Sequence, residues 1–131
     1  MITGHHISYN ANPINRRAGD CTIRAISKVM DQDWETTYIG LCVEGYMLCD
    51  MPSANHVWGA YLRRHGFRRI PVECECPECY TVRDFAAEHP NGRYVLAISG
   101  HTVAVISGNY YDTFDSGDEV VVYVWYKESD N

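Results

Sequence analysis

Asn15-Arg16-Arg17-Ala18-Gly19-Asp20-Cys21-Thr22-Ile23-Arg24-Ala25 is the stretch on which the reading of this chain turns. Apolar residues recur at Ile23, Ile26, Val29 and Met30, the spacing of one buried helical face, and predict a helix from Asp20 to about Met30. Gly19 lets the backbone turn sharply before it, and Asp20 is a residue type whose carboxylate caps first-turn amides. Cys21 falls at the edge of the apolar stripe, in the first turn, where the positive end of the helix favours a thiolate. A lone cysteine on a helix is usually a small hydrophobe. What singles Cys21 out is its company: Asn15 six residues upstream, and a late Gly100-His101-Thr102-Val103-Ala104-Val105 segment with acidic residues after it.

The 131 residues suffice for one domain, 1–131, with its own core. Hydrophobic residues make up 46% and charged residues 21%, a globular mixture and not a disordered one. A net charge of −6 argues against a nucleic-acid partner, which calls for a basic face; Arg16-Arg17, Arg63-Arg64 and Arg68-Arg69 read as solvated element ends. The first residues lack a basic region followed by an apolar run, and the longest apolar run, Val120 to Tyr126, is too short to span a bilayer. The expectation is a cytoplasmic, monomeric protein with no membrane partner, whose six cysteines are thiols rather than disulfides.

Helices are predicted first and strands afterwards. Residues 1–18 read as a polar lead-in, with Ile7 and Tyr9 in an edge strand and His5-His6 at a surface terminus. Asp33 caps a second helix from Trp34 to about Leu48, with Trp34, Tyr38, Leu41 and Cys42 on its packed face. Ser53 caps a third, carrying Val57, Tyr61 and Leu62 and stopping at Gly66. A strand over 67–72 and a short helix from Thr81 to about Glu88, opened by a capping box, lead to strands at 93–99, 101–106, 110–115 and 119–126. The class is α+β, with helices packed on an antiparallel sheet. His56, His65 and His89 are read as structural, and the three tryptophans with most of the ten tyrosines as packing.

Two constellations carry chemistry. Cys21 and His101 supply a nucleophile and a proton carrier, with His101 at the mouth of a strand apolar on both faces and hence central. Backbone N–H groups at the helix start, with the Asn15 amide, are placed to hold an oxyanion. If Ser107-Gly108-Asn109 forms a three-residue turn, His101 faces Asp115, which makes Asp115 and not Asp112 its orienting carboxylate. The other constellation, Cys74-x-Cys76-Pro-Glu-Cys79, is half of a zinc site, but no second Cys-x-x-Cys or His-x-His pair completes it. No metal and no cofactor are therefore expected.

The order Asn15, Asp20-Cys21, Gly100-His101, then Asp112 or Asp115 resembles the papain-like cysteine peptidases, in particular the small peptidase domains of bacterial bacteriocin exporters. The chain is also similar to short uncharacterised proteins of gut bacteria and their phages, with Gly-Asp-Cys early and Tyr-Asp-Thr-x-Asp-Ser late. The resemblance spans nearly the whole chain. It implies a papain-like fold with the nucleophile opening the first helix, a Cys21-His101-Asp115 triad with Asn15 at the oxyanion hole, and a peptide or protein substrate. Asn15 stands where glutamine is usual, one methylene shorter. The alternative is a catalytically silent binding or inhibitor module of the same fold, phage-encoded and acting on a host protein.

Overall fold

The computed structural model describes residues 4–72 and 79–127. In chain order they form β1 (His6–Ser8), α1 (Cys21–Val29), α2 (Trp34–Met47), α3 (Asn55–Arg64), β2 (Arg68–Pro71), α4 (Val82–Glu88), β3 (Arg93–Ile98), β4 (His101–Ile106), β5 (Asn109–Asp112) and β6 (Val121–Tyr126). The chain is α+β, with four helices and a six-stranded sheet in the order β1-β5-β4-β3-β6-β2. The apolar-on-both-faces strand is central, as its pattern implied: β4 lies between β5 and β3. The sheet is mixed and not purely antiparallel. β1 runs parallel to β5, because it enters as a separate lead-in and not through a hairpin.

Strand alternation sorts the core into two layers. On one face Val95, Ala97, Ala104 and Trp125 pack under Ala25, Ile26 and Val29 of α1, Leu41 of α2, and Trp58, Tyr61 and Leu62 of α3. On the other, Leu96, Ile98, Val103, Val105, Tyr110, Val121 and Val124 meet Val82, Phe85 and Ala86 of α4. Val121 and Val124 share a face despite their odd spacing because a bulge shifts the β3–β6 register between Ala97 and Ile98.

Four helix starts were read by residue type, with mixed results. Asp33 accepts from the Thr36 N–H, and Thr81 forms a reciprocal capping box with Asp84, both as expected. The third helix opens one residue later than a Ser53 cap implies, at Asn55, with Ala54 at its N-cap and no side-chain bond there. Asp20 precedes α1 but makes no capping bond, since its carboxylate turns inward to Arg24 and Trp34. The packed side of α2 also differs. Thr37, Leu41, Glu44 and Gly45 are buried, while Tyr38 is 46% exposed, because α2 rests on α1 and α3 and not on the sheet.

The β4–β5 turn has the largest consequence. Ile106 faces Asn109, so the turn is the two residues Ser107 and Gly108, both at positive φ (51° and 83°). This is the mirror-image turn geometry that matches strand twist. The three-residue Ser107-Gly108-Asn109 turn does not occur. The register Ile106–Asn109, Val105–Tyr110, Ala104–Tyr111 carries on to set Asp112 against Val103.

Candidate active site

Cys21 is the first residue of α1, so its backbone N–H is among the first-turn donors that the helix leaves unused. Its side chain is half-buried beside the His101 ring and Thr102, whose donors act on the thiol. A second strut joins the same elements: the hydroxyls of Thr22 and Thr102 lie 3.3 Å apart. The start of α1 is thus fastened to the start of β4. The Cys21 thiol and the His101 imidazole come together, as the sequence implied.

The carboxylate is the correction. His101 Nε2 lies 2.6 Å from Asp112 Oδ2, and Asp112 is fully buried. A one-residue change of register carries a side chain to the opposite face of a sheet. With Asp112 set against Val103, His101 is two residues further along β4 and on the same face, within diagonal reach. Asp115 is not brought to His101. It accepts from the Tyr110 hydroxyl, from Gly117 N–H at 3.0 Å and from Arg83 at 3.5 Å, and its side chain is 54% exposed. Its work is to pin the 113–118 turn against α4.

Asp112 is saturated with donors. Oδ1 accepts from Arg24 Nη2 at 2.9 Å and from Thr113 N–H at 2.8 Å. Oδ2 accepts from His101 and from Ser116 Oγ at 2.8 Å. Four bonds fill the four lone-pair positions of a carboxylate, which fixes both its charge and its orientation. Arg24, itself 5% exposed, also donates from Nη1 to Asp20 Oδ1 at 2.7 Å. Asp20 Oδ2 in turn accepts from Trp34 Nε1 at 2.8 Å. A single line of alternating charge therefore runs Asp20, Arg24, Asp112, His101, Cys21, and its first three members are buried.

The electrostatics follow that line. Burial alone raises the Cys21 thiol, but the hydrogen bond and charge of His101, with the Thr102 donors, outweigh it and hold the thiol below its ordinary value. Burial alone lowers His101, yet the Asp112 bond, the Cys21 bond and both negative charges push it up to about 9. Burial raises Asp112, and the His101 and Ser116 bonds with the His101 charge bring it below the usual carboxylate range. All three directions favour thiolate, imidazolium and carboxylate together near neutral pH. With Nε2 committed to Asp112, Nδ1 is the ring nitrogen left to face the thiol.

Asn15 is not brought to the thiol. It is exposed, at φ 55°, and its side-chain carbonyl accepts from Asn10 Nδ2 at 3.4 Å. Asn12 Oδ1 receives the N–H groups of Ile14 and Arg16, so this loop is closed on its own side chains. Three residues around the site were missed from sequence: Arg24, Thr102 and Phe114, the last 49% exposed with its ring 5.1 Å from that of His101. Arg24 carried a readable signal, since it stands four residues after Asp20 on the same turn-to-turn line. Cys74 and Cys76 lie outside the described residues. Among the described residues, no group of three His, Cys, Asp or Glu side chains is placed to hold a metal ion, and no helix is long and apolar enough to cross a membrane.

Compared with family models, curated proteins and solved structures, the chain matches none.

Proposed function

We propose that this chain is a papain-like cysteine peptidase or a related thiol amide hydrolase, acting in the cytoplasm on a peptide or protein. The observation that carries the reading is one arrangement: a half-buried thiol at a helix start, beside a histidine that a saturated, buried carboxylate holds through Nε2. The Cys21 thiolate attacks the carbonyl carbon of the amide. A C–S bond forms, and the carbonyl electrons move onto oxygen, where the Cys21 N–H at the start of α1 is available to stabilise them. The His101 imidazolium gives its proton to the leaving nitrogen, the C–N bond breaks, and an acyl-enzyme remains. Neutral His101 then takes a proton from water as its oxygen attacks the thioester, and the acid leaves with Cys21 regenerated as thiolate. Asp112 keeps the ring oriented through both steps without changing its own protonation.

One observation favours a second reading, a binding or inhibitor module of the same fold. Asn15, expected at the oxyanion hole, is exposed, and its side-chain carbonyl accepts from Asn10. The two readings separate on a single experiment. The protein is incubated with a mixture of peptides of varied sequence, and both the peptides and the intact protein are followed by mass spectrometry. Hydrolysis, with an acyl adduct on Cys21 and neither in Cys21→Ala, is the expected result. Intact peptides with no adduct, from a folded protein, would leave the binding module as the better account.

A further inference from the structure

A helix that is apolar around its whole circumference is normally buried. α2 is apolar around its circumference and is not buried: its inner side meets α1 and α3, while Tyr38, Ile39, Val43, Tyr46 and Met47 are exposed. Tyr46 is 85% exposed, the extreme of the group. Leu48 and Met51 continue the patch beyond the helix end. The helix holds just two charged residues, Glu35 and Glu44. Glu44 is turned inward and held by both guanidinium donors of Arg64, at 3.0 and 2.9 Å, so it lends the outer face no charge.

We infer that two copies of this chain pair through the outer faces of their α2 helices. The area fits. The seven apolar side chains from Tyr38 to Met51 leave on the order of 800 Å² uncovered, what one side of a standard interface buries and more than the largest apolar patch on a typical monomer. The relief fits as well. Beside the exposed ridge runs a groove of about 550 Å³ between α2 and α3, lined among others by Ile39, Val43, Met47 and Tyr61. Tyr46 stands on the ridge, next to the groove of its own chain. A patch that carries a knob and a groove side by side is self-complementary under a two-fold axis, each Tyr46 entering the other copy's groove.

A lipid surface fits less well. Interfacial helices carry Lys or Arg along their polar side, and α2 has neither from Trp34 to Met47. For two chains of net charge −6 to meet, the contact is best placed where negative charge is sparse: the exposed side of α2 carries Glu35 alone, near its start, and Arg64 at the groove adds positive charge.

Sedimentation equilibrium of the full chain tests the pairing, with Val43→Glu and Tyr46→Glu as interface variants and Val122→Glu on β6 as a control. Val122 is an equally exposed apolar residue away from α2. The expected result is twice the 14.9 kDa chain mass for wild type and Val122→Glu at micromolar concentration. In the two α2 variants, whose circular dichroism should match wild type, association weakens by roughly thirtyfold or more, the scale of losing an interface hot spot. Wild type at single-chain mass well above the micromolar range would overturn the proposal, with or without binding to phospholipid vesicles. So would a dimer that survives both α2 substitutions. None of these variants touches Cys21, His101 or Asp112, so the outcome is independent of the hydrolase reading.

Discussion

Asp112 and His101 are bonded across two strands, Oδ2 to Nε2 at 2.6 Å, with the carboxylate at zero exposure. Three further donors fix that carboxylate, so replacing it leaves no nearby oxygen to take its place. Asp112→Asn is expected to lower kcat/KM by roughly a hundredfold or more, the lower end of what acid–base positioning supplies. Asp115→Asn, which touches Tyr110, Gly117 and Arg83, should keep most of the activity. Steady-state kinetics on any peptide found to be cleaved checks the pair; a greater loss in Asp115→Asn would reverse the assignment.

Arg24 bridges Asp20 and Asp112, all three nearly inaccessible to water. Removing one member of a buried charge network strands the others. Arg24→Met should therefore destabilise the fold by roughly 3–5 kcal/mol, and Arg24→Lys, which cannot reach both carboxylates as a planar fork, should recover only part of that. Urea unfolding of the two variants measures the difference; near-wild-type stability in Arg24→Met would show the network to be dispensable.

Gly117 follows Ser116, the residue that completes the Asp112 shell, and a Cβ there would fall on the Tyr110 hydroxyl and the Arg83 guanidinium. Gly117→Ala is expected to displace the 113–118 turn at a cost of about 1–3 kcal/mol, with activity falling alongside. Thermal unfolding together with a rate assay reads both effects. An unchanged melting temperature would mean that the turn has room to give.

Stability should depend on pH with a definite sign. His101 is raised from 6.5 to about 9, so its contribution is fully present below 6.5 and is lost as pH rises through about 9. Asp112 is lowered from 3.8, so its contribution is present above that value and is lost as pH falls through its depressed value. The part of the wild-type midpoint that His101 supplies should therefore decline between pH 6.5 and about 9, offset in part by the lowered Cys21 thiol, and His101→Gln should lack that decline. Parallel profiles for the two proteins would contradict the coupling.

The pairing of the Cys21 thiol with the His101 imidazole was legible in the sequence because each rests on a local signal. Asp20-Cys21 opens an apolar stripe of helical period, and Gly100-His101 opens a strand-forming run apolar on both faces. The partner carboxylate was not legible, because it depends on register, and register depends on which two residues make the turn. Ser107 takes positive φ without being glycine or asparagine, and no neighbouring residue betrays it. The missed cap at Asp20 has the same origin. The carboxylate suits an N-cap, but a buried arginine one turn on and the Trp34 indole compete for it and win. The packed side of α2 escaped periodicity because apolar residues surround the helix, so no stripe points inward.

The central claim is that Cys21 is a thiolate made so by His101, and its alkylation as a function of pH tests this most directly. Iodoacetamide at sub-stoichiometric dose, followed by peptide mapping, reports which of the six cysteines reacts and how fast. The account predicts that Cys21 is labelled first, at pH values below the ordinary thiol range, and that His101→Ala moves its profile up toward that of a free cysteine. Equal labelling of all six cysteines, or a Cys21 profile unmoved by His101→Ala, would contradict it.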